Sequence, residues 1–152
     1  MKIRRFLPVF IAIVAVAFMS CELYDDGLPP KAARTEFRSM YSGARDVEWD
    51  REGTNWEVSY EIDRVEYESL FDASGKWLMT RKEVSYANVP DVIRTYLSTS
   101  EYGTYRLDDN TVDFYQTPDG NFYRFELDDN GRDLDVDVTE SGVVSRARRD
   151  LF

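Results

Sequence analysis

The chain has 152 residues, 43% of them hydrophobic and 14% aromatic, and a formal net charge of −10. That apolar and aromatic supply excludes a disordered polymer and suits one domain with a core of its own. The negative charge argues against a nucleic-acid partner, and the absence of histidine removes Ser-His-Asp and Cys-His nucleophiles, HExxH zinc sites and imidazole acid-base steps.

The N-terminal stretch "MKIRRFLPVFIAIVAVAFMSC" sets Lys2, Arg4 and Arg5 before an apolar run from Phe6 to Met19. The run is about fourteen residues long, short of the roughly twenty that cross a bilayer, and its flanks are those of a secretory signal peptide. Its end, Ala17-Phe18-Met19-Ser20-Cys21, resembles the lipobox of bacterial lipoproteins, with Ser20 in the small position and Phe18 where leucine is usual. The resemblance implies that Cys21, the single cysteine of the chain, carries lipid and becomes the first mature residue. Removal of Lys2, Arg4 and Arg5 with the signal takes the net charge from −10 to −13. Glu22, Asp25 and Asp26 follow, either as an export tag of a Gram-negative surface lipoprotein or as a solvated tether, and Gly27, Pro29 and Pro30 make a stiff spacer. The expected organisation is a signal peptide over 1–20, lipidated cysteine and tether over 21–30, and a single domain over 31–152.

That domain opens with a helical pattern, "KAARTEFRSMY", which predicts Ala33, Phe37, Met40 and Tyr41 on one apolar face. Trp56, Val58, Tyr60 and Ile62 then alternate with Glu57, Ser59, Glu61 and Asp63, as in a half-buried strand. Val65, Tyr67, Ser69 and Phe71 continue the alternation, and Ser74-Gly75 turns into a strand from Lys76 to Thr80. A second helix, "PDVIRTYL", predicts Val92, Ile93, Tyr96 and Leu97 facing inward, with a further strand over Tyr102 to Leu107.

The second half repeats the first. Setting Gly53 on Gly120 brings Trp56 onto Tyr123, Val58 onto Phe125, Tyr60 onto Leu127, Phe71 onto Val138 and Ser74-Gly75 onto Ser141-Gly142. After a two-residue slip, "VEW" at Val47 to Trp49 matches "VDF" at Val112 to Phe114. The expected fold class is α+β: two units of helix plus antiparallel strands, about 31–84 and 85–149, sharing one sheet with both helices on one face. Trp49 and Trp56 are expected in the core, while Trp77, just after a turn, is open between core and surface.

The acidic run "LDDNGRDLDVD" departs from the EF-hand pattern, because Arg132 stands at a ligand position and no glutamate closes the loop. Asn130-Gly131 reads as a hairpin turn instead, and no metal or cofactor is expected. Carboxylates are plentiful enough for pairs to meet by chance, so no enzyme is inferred from them. "SRARRD" near the end reads as a solvated strand terminus.

The run "VEWDREGTNWEVSYEIDRVEYESLFDASGKWL", followed by "VPDVIRTYL", resembles the PepSY-like family of secreted bacterial proteins. Val47, Trp49, Tyr60, Phe71, Asp72, Gly75 and Pro90 stand at its hallmark places, and Ser42 stands where the family often has proline. The resemblance implies a fold similar to the beta-lactamase-inhibitor protein, a tandem repeat whose concave sheet grips a partner. Glu57, Glu61, Glu66 and Glu68, with Arg124, Glu126, Asp133 and Asp135, would then supply a largely acidic outward face suited to a basic protein or peptide. The most uniformly acidic part, Glu57, Glu61, Glu66 and Glu68, is the candidate partner-binding face. The functional expectation is a lipid-anchored binding module of the outer membrane, with a structural envelope lipoprotein lacking a dedicated ligand as the alternative.

Overall fold

A computed structural model describes residues 28–148; the expected signal peptide, Cys21 and the expected tether up to Gly27, and the chain from residue 149 onward lie outside the described residues. The order is α1 (Lys31–Met40), β1 (Arg45–Glu52), β2 (Asn55–Ile62), β3 (Val65–Phe71), β4 (Trp77–Ser85), a 3-10 turn (Tyr86–Asn88), α2 (Asp91–Thr99), β5 (Arg106–Leu107), β6 (Thr111–Thr117), β7 (Gly120–Asp128), β8 (Asp133–Thr139) and β9 (Val144–Arg146). The strands form one antiparallel sheet in the order β1-β2-β3-β4-β6-β7-β8-β9, with the short β5 pairing β7 at the side. The chain is thus α+β. No helix among the described residues is long and apolar enough to cross a membrane.

β4 joins the halves. It pairs with β3 from Trp77 to Arg81 and with β6 from Thr80 to Ser85, so its long run of nine residues serves two neighbours in turn. Directly paired residues present their side chains on one face of a sheet. The register therefore strings Val58, Ser69, Thr80 and Gln116 along one face, where Val84↔Val112 and Phe125↔Val136 follow. Ala33 and Phe37 of α1 pack on Val58, Tyr60 and Phe71, and Ile93 and Leu97 of α2 pack on Phe125, Leu127, Leu134, Val136 and Val138.

Each helix buries two residues four apart, which set one narrow stripe against the sheet. The wider stripes expected from the sequence are trimmed at their margins. Met40 is 36% exposed because α1 ends there and the chain turns away, and Val92, one position before Ile93, is rotated off the sheet and 50% exposed. The expected strand over Tyr102 to Leu107 shrinks to Arg106–Leu107, since the residues before it close turns such as Tyr105 N–H to Tyr102 O at 3.1 Å. Trp56 is buried, and Trp49 and Trp77 are half-buried beside the α1 cluster. Asn130 and Gly131 both take positive φ in the β7–β8 turn.

Two glycines let turns touch helices. Gly75, in the β3–β4 turn at φ +92°, lies so close to α1 that a Cβ would sit 2.5 Å from the Ala33 nitrogen; at Gly142, in the β8–β9 turn at φ +89°, a Cβ would sit 3.0 Å from the Tyr96 ring of α2. Asp72 fixes the first turn by accepting from Ser74 N–H, Ser74 Oγ–H and Lys76 N–H. The outer edge is guarded differently. β1 carries Arg45, Asp46, Glu48, Asp50, Arg51 and Glu52 along an almost fully exposed strand, with a register break near its start.

The two cores differ in chemistry. In the first half, Thr80 Oγ1 lies 2.6 Å from Tyr41 Oη, 2.6 Å from Ser69 Oγ and 3.0 Å from Trp77 Nε1, and Ser69 Oγ lies 3.0 Å from Tyr60 Oη. The indole can only donate, so Thr80 accepts from Trp77, accepts one hydroxyl proton and donates its own. Ser69 and Thr80 are both almost completely buried, at 0% and 2% exposure, and the four hydroxyls of this network, of Tyr41, Tyr60, Ser69 and Thr80, each find a partner in it. Phe37 sets its ring edge-on to Trp49 and Tyr60 above this network, at 5.6 and 4.9 Å. The second core is built from aliphatic side chains around Phe125.

Thr80→Val removes three partners at once and is expected to lower stability by about 1–3 kcal/mol in chemical denaturation. Burial pushes the Tyr60 phenol well above its ordinary value. The unfolded chain therefore ionises first, so the associated stability is complete below about pH 10 and declines as pH rises from there toward the folded-state value. Melting temperature should fall above about pH 10, and Tyr60→Phe should make that fall shallower.

Candidate partner-binding face

The other side of the sheet carries the alternate residues. Glu57↔Leu70↔Met79, Glu61↔Glu66 and Glu68↔Arg81↔Tyr115 run across β2, β3, β4 and β6, and Tyr115↔Phe122 and Arg124↔Asp137 continue the face to β8. All four candidate glutamates, Glu57, Glu61, Glu66 and Glu68, stand on it. They do not behave alike. Glu68 Oε2 accepts from Arg81 at 2.9 Å, whereas Glu61 and Glu66 face one another directly across β2 and β3. Burial, then repulsion from Glu68 and Glu52, raises the pKa of Glu57. The first half is therefore not uniformly acidic: Arg81 stands in it, as Arg124 stands in the second.

Arg81 also reaches Asp113 of β6, with Nη1 3.1 Å from both carboxylate oxygens, and so ties β3, β4 and β6 together. Burial opposes its charge, but Glu68 and Asp113 outweigh that and hold its pKa above the ordinary range. Arg124 makes a two-pronged contact with Asp137, Nε to Oδ1 at 2.8 Å and Nη2 to Oδ2 at 3.0 Å. Its guanidinium also lies 5.0 Å from the Tyr115 ring centre and 5.7 Å from that of Phe122. Those two rings stack at 4.8 Å with planes 6° apart.

Between the two arginines lies an apolar centre. Leu70, Met79 and Tyr115 are 2%, 7% and 7% exposed although they point away from the helix-packed clusters, and Leu78 and Phe122 pack against them. The sequence reading missed this centre and Arg81. Its signal is four apolar doublets, Leu70-Phe71, Leu78-Met79, Phe114-Tyr115 and Phe122-Tyr123, on four strands that neighbour one another. A doublet breaks the alternation and supplies apolar groups to both faces, except at Leu78-Met79, where a register shift beside Leu78 brings both side chains to the open-face centre. Elsewhere, Asp108, Glu126 and Asp133 bring carboxylates within 4.8 Å of one another, all exposed. The crowding by burial and by Asp135, Asp108 and Asp133 raises the Glu126 pKa.

Residues 59–146 match the family described as beta-lactamase-inhibitor-like, PepSY-like, and the chain belongs to that family. Its fold is similar to that of a BLIP-like protein from Bacteroides fragilis, with a TM-score of 0.69 and 25% identity over 79% of this chain and 86% of that one. A DUF2874 family protein from Bacteroides ovatus superposes with a TM-score of 0.68 at 16% identity, covering 82% of this chain and 94% of its own. A Bacteroides eggerthii protein described as periplasmic gives 0.65 at 15% identity, covering 80% and 89%. No curated protein sequence matches significantly.

Removing one arginine of this face leaves a carboxylate behind in a half-dry setting. Arg124→Ala, which strands an Asp137 side chain 14% exposed, should cost about 1–3 kcal/mol, while Arg106→Ala, from an arginine 80% exposed, should shift stability by under about 0.5 kcal/mol. Thermal melts of the two variants check the contrast.

Proposed function

We propose that this protein is a non-catalytic binding module of the bacterial cell envelope, inhibitor-like in its use of the sheet face opposite the helix-packed clusters to hold a protein or peptide. The observation that carries the reading is the apolar centre of Leu70, Met79, Tyr115 and Phe122 ringed by Arg81 and Arg124. Protein interfaces concentrate their energy in such arrangements, with aromatic and arginine anchors inside a polar rim. The likeness to a BLIP-like protein supports the same reading, and the periplasmic description of another neighbour supports an envelope location. Anchoring through lipid on Cys21 in the outer membrane of a Gram-negative cell rests on the lipobox resemblance.

In this reading the two halves are copies of one unit with both helices on one side. The register that carries Val58 through Thr80 to Val112 and Phe125 supports it, and so do Gly75 and Gly142, each seating a turn on the helix of its own half. A structural lipoprotein without a ligand is the second reading, favoured by one fact: Arg81 and Arg124 are already satisfied within the chain.

The anchor is tested by metabolic labelling with a fatty-acid analogue, which should mark the wild type and leave Cys21→Ala unmarked. The face is tested by recovering partners from native envelope and measuring binding kinetics at two salt concentrations. Phe122→Ala should speed dissociation, and Glu57→Lys with Glu61→Lys should slow association, most at low salt. The charge reversal should leave stability within about 0.5 kcal/mol of wild type. Unchanged rates in both variants would hand the lead to the structural reading.

A further inference from the structure

Where β4 passes from β3 to β6, the sheet parts. Beyond Glu68↔Arg81, the residues Val65, Glu66 and Tyr67 pair with β2 alone, and Lys82 to Ser85 pair with β6 alone. In an antiparallel strand alternate residues turn their N–H and C=O to opposite neighbours, so each stretch directs part of its hydrogen bonding into the space between. That space is a gap of about 350 Å³ lined by Arg64 to Glu68 and by Arg81 to Glu83. A sheet ordinarily confines unpaired margins to its outer strands; here a facing pair of them lies inside it.

The charges of the wall are equal in number but sorted by place. Arg81 is held by Glu68 and Asp113. Lys82 stands on the opposite face, beside Phe114, with Nζ 5.3 Å from the Tyr67 ring centre and 5.8 Å from that of Phe114. The open face is left with Glu66 on β3, Glu83 on β4 and Glu61 opposite Glu66, and none of these makes an ion pair among the described residues. Arg64, exposed in the turn before β3, makes none either.

We propose that the gap takes up an extended peptide as an added strand, with basic side chains on the open face alternating with apolar ones on the other. Main-chain hydrogen bonds to the two margins supply attachment, and alternate side chains supply selection. A strand rises about 3.3 Å per residue, so about four residues of the occupant lie along Val65–Tyr67 and Lys82–Ser85. Side chains of one parity meet Glu61, Glu66 and Glu83. Those of the other parity meet Val65, 38% exposed, and the rings of Tyr67 and Phe114. Lys82 already lies over those rings, so an apolar neighbour suits that face better than a second cation. The site deepens the reading of this sheet as a surface for a protein or peptide and rests on it, but it stands apart from the centre of Leu70 and Phe122.

The test titrates the purified chain with short capped peptides: alternating lysine and valine, the same residues in two blocks, alternating glutamate and valine, and an N-methylated form of the first. The alternating lysine peptide should bind several-fold more tightly than the block and glutamate peptides. Amide hydrogen exchange, followed by NMR, should slow several-fold at the gap-facing amides of Val65–Tyr67 and Lys82–Ser85. N-methylation, which removes the peptide's main-chain donors, should abolish binding to the wild type. Glu66→Gln with Glu83→Gln should weaken it several-fold, and Phe122→Ala should leave it unchanged. The proposal is overturned if no peptide binds, if the two lysine peptides bind equally, or if the glutamate peptide or the N-methylated form binds as well. It is also overturned if Phe122→Ala weakens binding or the protected amides lie on β1 or β9. Protection that appears on raising protein concentration alone overturns it too, by making a second copy the occupant. Failure here leaves the partner reading standing, since that is judged by the effect of Phe122→Ala on dissociation of partners from native envelope.

Discussion

The pairing of β4 with β6 is the constraint on which the rest depends. Six register pairs, from Thr80↔Gln116 to Ser85↔Thr111, weld what would otherwise be two small four-stranded sheets into one. A sheet of that smaller size under one helix of nine or ten residues buries little surface, whereas the joined sheet lets each half stabilise the other. The weld also makes the open face continuous from β2 to β8. Arg81 reinforces it from the open side, since it grips Glu68 of one half and Asp113 of the other through a single guanidinium.

Around that weld the halves have taken different solutions to the same packing problem. Tyr60, Ser69 and Thr80 fill the first core with hydroxyls, where Phe125, Leu127, Val136 and Val138 fill the second with apolar side chains. A hydroxyl network is a demanding way to fill a core, because each member must find all its partners, but it also specifies one arrangement of the rings above it. The aliphatic core tolerates adjustment more readily. The division leaves a hydroxyl-linked half under α1 and an aliphatic half under α2, with the aromatic pair Tyr115 and Phe122 on the latter's side of the weld.

Much of the fold was legible because strand alternation and turn residues are local signals. Trp56, Val58 and Tyr60 are buried at every second place, and the chain turns at Ser74-Gly75 and Ser141-Gly142, where both glycines take positive φ. The site was less legible. The four glutamates share a face as their parity requires, yet no local pattern tells which carboxylate an arginine on a neighbouring strand will claim. Ending the fourth strand at Thr80 left Arg81 off the sheet, and aligning Phe114 with Trp49 and Tyr123 with Trp56 left their neighbours Tyr115 and Phe122 unremarked. Pairing across the sheet, a non-local property, turns those neighbours into a centre.

The charged first strand has a consequence for how copies of the protein coexist. A sheet of this length exposes unsatisfied backbone along its two margins and invites a second sheet to dock there. One margin is β1, with both signs of charge on consecutive residues and a register break that bends it; the other is β9, only three residues long. Neither offers a flat, uncharged ladder for lateral growth. Molecules crowded side by side would therefore remain separate units instead of fusing into a continuous fibre.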